Sequence, residues 1–266
     1  MMAQTVLITG AGGGLGAAAA SEFVRHGWTV FAADLNPPPE ANGLVPVKMD
    51  VTDTRSVDSA IRYVGERSPR GLRCVVTLAG VLSVGPLAEM SDQKLQAVLN
   101  VNVMGTHRAV RATFPLLRAG SGRIILTSSE TGWQRAMPFN GAYALSKHAV
   151  EAYGDALRRE LAPLGIPVSI IQPGPFRTGM TVSIQAEFAS AVIDGSPFAS
   201  RLQKAGRLAA GQHAKANDAK ELARAVVEVA TVPRPRIRYS IRPDRARALL
   251  NRLPVRLVDA VLRRAL

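Results

Sequence analysis

Tyr143 and Lys147 stand four residues apart in the stretch NGAYALSKHAV, residues 140–150. Residues at that spacing share one face of a helix. A phenol ordinarily keeps its proton until about pH 10, so it is a poor acid or base near neutrality. A lysine ammonium beside it favours the phenolate and lowers that value. The pair could then take a proton from an alcohol or return one to a carbonyl oxygen. An ordinary amphipathic helix would use the same two residues with Tyr143 half-buried and Lys147 in solvent. The pair carries chemistry only if the rest of a site surrounds it.

A glycine-rich turn is the second such feature. TGAGGGLG sets Gly10, Gly14, Leu15 and Gly16 between an apolar run and a helical one, at the spacing TGxxxGxG. Glycine permits a tight turn and lets a pyrophosphate approach bare backbone N–H groups at a helix start. Taken alone, a turn needing glycine only for steric room would look the same. Asp34 closes the second apolar run, 24 residues beyond Gly10, where an acidic residue accepts the adenosine ribose hydroxyls of a dinucleotide. Its carboxylate would repel a 2′-phosphate, Leu35 follows it, and Gly13 rather than a Lys or Arg precedes Gly14. NAD is therefore expected, and NADP disfavoured. Asp50 and Val51 follow the third run, where the adenine edge would rest. Asp50 could equally cap the next helix.

A regular alternation must position these residues. TVLITG, TVFAADL, LVPVKMDV, LRCVVTLAG, GRIILTSS and PVSIIQPG read as buried strands, with helical segments between them, including 54–66, a long one over 92–117, and the one that NGAYALSK begins. Strands apolar on both faces, alternating with amphipathic helices, predict an α/β fold: a doubly wound parallel sheet with helices on each side. Residues 1–266 read as one such domain with no internal linker. Residues 179–217 are only weakly helical and are expected to cover the substrate. DAKELARAVVEVATV is a clear helix, RIRYSI a last strand, and residues 243–266 a basic amphipathic extension.

TGAGGGLG, DVTD, NVNVMG, GRIILTSS, YALSK and PGPFRT occur in that order. In this the chain resembles the classical short-chain dehydrogenase/reductase family, clearly from about residue 4 to 180 and more weakly to 240. The resemblance implies a Rossmann fold, a nicotinamide dinucleotide cofactor and a catalytic tetrad of Asn102, Ser129, Tyr143 and Lys147. In that tetrad Tyr143 is the general acid/base and Lys147 also bonds the nicotinamide ribose. Ser129 bonds the substrate oxygen, and the Asn102 carbonyl holds a water linking lysine to solvent. Ser128 and Asn100 are the competitors; the SSxxG and NVxG contexts favour Ser129 and Asn102. Ala79 and Gly80 are expected beside the adenosine ribose. Pro173 and Gly174 are expected beside the nicotinamide, with Thr178 on its carboxamide. One departure is TLAG, Thr77 to Gly80, where the family usually has Asn-Asn-Ala-Gly. The missing asparagine is expected to affect stability more than chemistry.

PFNGAY and the long tail look most like the branch that includes 17β-hydroxysteroid and retinol dehydrogenases. This implies a secondary alcohol or ketone on a hydrophobic, steroid- or lipid-like molecule. It also implies a homodimer or homotetramer joined through the helices over 92–117 and 143–164. A non-catalytic dinucleotide-binding regulator on the same fold is the alternative, and the intact Ser/Tyr/Lys set argues against it.

Composition bounds the rest. At 47% hydrophobic and 20% charged, the chain is ordinary for a soluble globular protein that can bury a core. Its single cysteine, Cys74, excludes an intrachain disulfide and fits a reducing, cytoplasmic compartment. Secretion is not expected, since MMAQTVLITGAGGG shows no basic n-region or small-residue cleavage site, and no apolar stretch approaches the ~20 residues that span a bilayer. Of the net charge of +13, residues 233–266 supply +8, from ten arginines against Asp244 and Asp259. The excess thus belongs to the tail, which is expected first to pack on its own domain or a sister subunit. Contact with an anionic membrane surface is the alternative, and no nucleic-acid partner is expected. His26, His107, His148 and His213 are scattered, so no metal site is expected.

Overall fold

The apolar runs alternate between two faces, and that alternation builds the molecule. The computed structural model describes residues 4–178, 184–213 and 216–265. Seven strands, β1 (Thr5–Thr9), β2 (Thr29–Asp34), β3 (Leu44–Lys48), β4 (Cys74–Thr77), β5 (Arg123–Thr127), β6 (Val168–Pro173) and β7 (Arg238–Ile241), make one sheet. Every pairing is parallel, in the order β3-β2-β1-β4-β5-β6-β7. Leu7, Phe31, Val75, Ile124 and Leu126 point into one core, while Val6, Ile8, Val30, Val76 and Ile125 point into another. A sheet buried on both faces needs helices on both, as expected from the strand composition.

The helices are α1 (Gly14–Arg25), α2 (Thr54–Arg67), α3 (Asp92–Leu99), α4 (Thr106–Ala119), α5 (Gly141–Leu161), α6 (Ile184–Ser190), α7 (Ala199–His213), α8 (Ala219–Thr231), α9 (Arg245–Leu250) and α10 (Val255–Ala265). In α2, Val57, Ala60, Ile61 and Val64 recur at helical spacing and are buried, and they join the core that holds Leu7 and Phe31. Ala19, Ala20 and Phe23 of α1 meet Leu222, Val226, Val229 and Ala230 of α8 in the other core. Small residues on α1 allow that close approach. Each large apolar side chain so buried contributes on the order of 1.5–3 kcal/mol.

Three details differ from the sequence-based expectation. The helix predicted over 92–117 is interrupted by a π-type turn, Asn100–Gly105, and such turns cluster at functional sites. The turn lets Asn102 point inward, and Gly105 backs onto Val51, where a Cβ would lie 2.8 Å from the valine side chain. Asp50 does not cap α2. Asp53 does, accepting from the Arg55 N–H at 2.9 Å, while Asp50 accepts from the N–H and hydroxyl of Thr52 at 2.8 and 2.7 Å. Residues 179–183 lie outside the described residues, but the weakly helical segment beyond them forms α6 and α7. These share a small separate core of Val84, Ile184, Phe188, Leu202 and Ala205.

The basic extension folds back on the domain. Arg135 donates to the carbonyls of Leu250 and Leu253 at 3.2 and 2.6 Å, and its N–H donates to Asn251 Oδ1 at 2.9 Å. Val258 of α10 is buried. Leu249, Val255, Leu257 and Val261 stay exposed, so the extension buries one apolar face and leaves a second uncovered. No described helix is long and apolar enough to cross a membrane.

Candidate active site

Strand order reverses at β1, whose neighbours are β2 and β4. Ligands of such sheets lie outside the carboxyl ends of the strands at that point. The glycine turn leaves β1 there. Gly10 has φ +72°, and a Cβ on it would sit 2.6 Å from the Ala79 nitrogen. A Cβ on Gly16 would come 2.0 Å from the Gly10 carbonyl oxygen, so both positions exclude any side chain. Gly13, the N-cap of α1, has no side chain to bond the first-turn N–H groups, and that turn holds no acidic residue. An unclaimed helix N-terminus of this kind suits a phosphate.

Asp34 ends β2 at the rim of this cradle. Its two oxygens accept from the N–H groups of Gly12 and Asn36 at 3.0 and 2.9 Å. Ala79 is held by a bond from its N–H to Thr9 Oγ1 at 3.1 Å. Gly80 faces Asn102 and Lys147: a Cβ there would lie 3.3 Å from Asn102 Oδ1 and 3.7 Å from Lys147 Nζ. Gly174 is pinned by the end of β7, because a Cβ would meet the Arg242 carbonyl oxygen at 2.0 Å. Thr178 lies against Gly14, its Cβ 3.2 Å from where a Gly14 Cβ would stand. Asp34, a bare helix N-terminus and this second glycine wall thus border the same edge of the sheet, with backbone N–H groups placed for a phosphate.

Of the residues expected at the chemistry, Ser129, Tyr143 and Lys147 converge on one cavity of about 410 Å³, lined also by Gly80, Pro173, Gly174 and Thr178 among others, while Asn102 lies behind its wall. Lys147 is buried, and its ammonium donates to the Thr127 carbonyl at 3.0 Å. A solvent-facing lysine on an ordinary helix would do neither. The Tyr143 phenol lies close enough to the Ser129 hydroxyl for that group to favour its charged form, and Lys147 Nζ lies 5.6 Å from the Tyr143 ring centre. What surface Tyr143 keeps faces this cavity. Ser128 also borders the cavity, but its hydroxyl is engaged, donating to the Lys147 carbonyl at 3.3 Å against Gly132. The two serine hydroxyls thus differ in their partners, the Lys147 carbonyl for Ser128 and the Thr131 N–H for Ser129. Asn102 is buried and pairs with Val81 through both amide ends, at 2.8 and 3.0 Å, and donates to Ser146 Oγ at 2.9 Å. Its carbonyl accepts from the Thr106 hydroxyl at 2.8 Å. Asn100 is drawn away to Arg108.

Electrostatics qualify one expectation. Burial pushes the Tyr143 phenol up to about 12, opposed by the nearby Ser129 hydroxyl and reinforced by the Glu130 carboxylate. Burial also draws Lys147 down from 10.5 to about 8. Each group is costly to charge within the protein's own surroundings. Lys147 by itself therefore does not produce a phenolate here, and further positive charge beside the ring is needed.

The TLAG departure has a structural substitute. Thr77 Oγ1 accepts from the Thr127 N–H at 3.3 Å, joining β4 to β5.

Two residues were not anticipated. Glu130, directly after Ser129, is buried and accepts from the Asp244 N–H at 2.7 Å and Arg247 Nη1 at 3.1 Å. Arg247, Leu262 and Ala265 of the extension line the same cavity. Glu130 could have been suspected from its place between Ser129 and an apolar segment. Arg247 is one of ten arginines in the tail, and nothing local distinguishes it. Much of the remaining wall, including Leu82, Val84, Met137, Ile184, Phe188 and Leu208, is apolar, with Thr131 and Asn140 as polar exceptions.

Among the described residues no group of three or more His, Cys, Asp or Glu could hold a metal. A family model described as short chain dehydrogenase matches residues 4–188. The "Uncharacterized oxidoreductase YbbO" of Escherichia coli (strain K12) is 35% identical over 206 residues, covering 76% of each chain. Human retinol dehydrogenase 5 is 33% identical over 285 residues, covering 97% of this chain and 87% of its own. Human 17-beta-hydroxysteroid dehydrogenase type 6 is 36% identical over 190 residues, covering 68% of this chain but only 59% of its own length. A short chain dehydrogenase from Burkholderia cenocepacia J2315, solved in complex with NADP, superposes with a TM-score of 0.74 at 22% identity, covering 99% and 98%.

Proposed function

Because the chain belongs to the short-chain dehydrogenase family, we propose that it interconverts a secondary alcohol and a ketone on a hydrophobic, steroid- or lipid-like molecule, with NAD as cofactor. The observation that carries this reading is the buried Lys147, tied to Thr127 on the helix face that presents Tyr143 to Ser129. Burying a lysine is costly, and no structural need for it is apparent beyond the chemistry. In the oxidative direction Tyr143 takes the hydroxyl proton of the alcohol; in reduction it returns a proton to the carbonyl oxygen. Ser129 holds that oxygen, and Lys147 holds positive charge beneath the phenol. Asn102 braces the segment at Val81 and, through Ser146, the start of α5.

The nicotinamide cofactor, when bound, supplies the hydride acceptor or donor and, oxidised, a positive charge near the phenol. Gly10, Gly14, Leu15 and Gly16 would hold its pyrophosphate, Asp34 its adenosine ribose, and Asp50, Val51, Ala79 and Gly80 the adenosine side. Pro173, Gly174 and Thr178 would hold the nicotinamide, with Tyr143 and Lys147 at its ribose. Asp34 supports NAD over NADP, since a 2′-phosphate would meet a carboxylate whose hydrogen-bond partners are two backbone N–H groups. The apolar cavity walls support a hydrophobic substrate, as do the names of the human relatives.

A screen with NAD⁺ and NADP⁺ against testosterone, all-trans-retinol and simple secondary alcohols tests the reading. Turnover with at least one hydrophobic alcohol, faster with NAD⁺, is expected. Tyr143→Phe should abolish turnover while retaining cofactor binding; persistent activity would refute the assigned role. Cofactor binding without turnover across the panel would support a regulatory protein instead. A second reading concerns where the substrate is met. The exposed Leu249, Val255, Leu257 and Val261 lie among arginines, a pattern suited to an anionic lipid surface. Equal sedimentation of wild type and Leu257→Glu/Val261→Glu with phosphatidylserine vesicles would dispose of it.

A further inference from the structure

Glu130 is the carboxylate nearest in sequence to Ser129, and it is buried beside the pair that is to move the proton. A carboxylate there opposes a phenolate at Tyr143. What answers it comes from the far end of the chain: the Arg247 guanidinium, at 3.1 Å, with only 15% and 8% of the two side chains exposed. Asp244 reinforces the contact, because its N–H binds the other Glu130 oxygen while its carboxylate caps α9 through Ala246 and Arg247. Among the described residues, the charged or titratable groups lining the cavity with Tyr143 are Lys147 from α5, Glu130 from the turn after β5, and Asp244 and Arg247 from the start of α9.

We propose that Arg247 is a positioning residue for the reaction, neutralising Glu130 behind the Ser129–Tyr143 pair so that docking of the C-terminal extension completes the electrostatics of the site as well as its wall. The proposal rests on the reading of Tyr143 as general acid/base. It separates from a purely structural role by sign. Losing Arg247 leaves an uncompensated negative charge near the phenol, whereas losing the Glu130 charge leaves an uncompensated positive one. If the pair only held the extension in place, both losses would act in one direction.

The test is a ¹³C NMR titration of [ζ-¹³C]tyrosine-labelled full-length protein saturated with NAD⁺, with the Tyr143 resonance assigned by its loss in Tyr143→Phe. Arg247→Met should raise the Tyr143 midpoint and Glu130→Gln should lower it, each on the order of one pH unit for charges several ångströms apart in a protein interior. The double variant should return near wild type, and Arg247→Lys should stay close to it. Midpoints that move together, or not at all, overturn the proposal. Should Arg247→Met not fold, Glu130→Gln alone decides, since an unchanged or raised midpoint is fatal. Turnover by Tyr143→Phe would instead sink the underlying reading, independently of the titration.

Discussion

Lys147 offers a prediction that runs against intuition: replacing it with methionine should make the protein more stable at neutral pH. Its ammonium is buried, and burial draws its pKa from 10.5 to about 8. A difference of about 2.5 pH units, at 1.36 kcal/mol each, means the charged lysine costs the folded state about 3 kcal/mol. The sign follows from proton counting. Between about pH 8 and 10.5 the unfolded chain holds a proton on this lysine that the folded chain does not, so stability rises with pH across that window. The full cost is present below about pH 8 and is gone above 10.5. Methionine keeps the length and apolar stem but leaves the Thr127 carbonyl without its 3.0 Å donor, a loss of about 1–3 kcal/mol. The net gain for Lys147→Met at pH 7 is therefore about 0–2 kcal/mol.

The firmer quantity is the difference between conditions, since the lost hydrogen bond largely cancels there. Urea unfolding of wild type and Lys147→Met, without cofactor, at pH 7 and 10.5 should give a mutational effect that becomes less favourable by about 3 kcal/mol at the higher pH. The other titrating groups cancel in that comparison. An effect that is the same at both pH values would refute the view that Lys147 is a buried charge held at the expense of stability. Activity should be lost in either case.

Ser129→Ala should lower kcat by ~10²–10³, as removal of a donor at a reacting oxygen does, whereas Ser128→Ala should change it only a few-fold; equal losses would show that the two are misassigned. Gly16→Ala should abolish NAD binding and lower Tm, because its methyl would meet the Gly10 carbonyl; isothermal calorimetry showing wild-type affinity would contradict the cradle. Cys74 is fully buried, with its thiol pushed up to about 12 by burial, so Ellman's reagent should react only as fast as the protein unfolds. Met104 and Leu145 are exposed, one on the π-type turn before α4 and the other on α5. If these helices join subunits, Leu145→Glu should shift the mass measured by light scattering toward monomer, and an unchanged monomer mass for wild type would end the idea.

The sheet was legible because periodicity along single strands carries it: Val6 and Ile8 against Leu7 announce two buried faces without reference to the rest of the chain. The candidate chemical residues could be named because each sits in a local motif. Ser129 is preferred over Ser128 from context, and both border the cavity, with the Ser128 hydroxyl engaged by the Lys147 carbonyl. What could not be read depends on long-range contact. The π-type turn at Asn100–Gly105 arises from Asn102 reaching Val81 and from Gly105 meeting Val51, neither of which has a local signature. Asp50 and Asp53 lie three residues apart, and which one caps α2 depends on where the helix begins. The lowering of the Tyr143 pKa was expected from Lys147 alone; burial of both groups reverses that balance.

The cavity draws on two parts of the chain. The proton-moving and cofactor-facing residues come from positions 10–178, while much of the apolar wall comes from Ile184, Phe188, Leu208, Leu262 and their neighbours. This division suits exchange in blocks, since a laboratory chimera that keeps α8 and β7, which pack against α1 and β6, could exchange residues 184–213 and 243–265 and acquire a new substrate. One pair limits that freedom. Glu130 lies in the retained block and Arg247 in the exchanged one, so a graft that brings no arginine to that position strands a buried carboxylate beside the tyrosine. Descendants of such exchanges should carry both residues or neither.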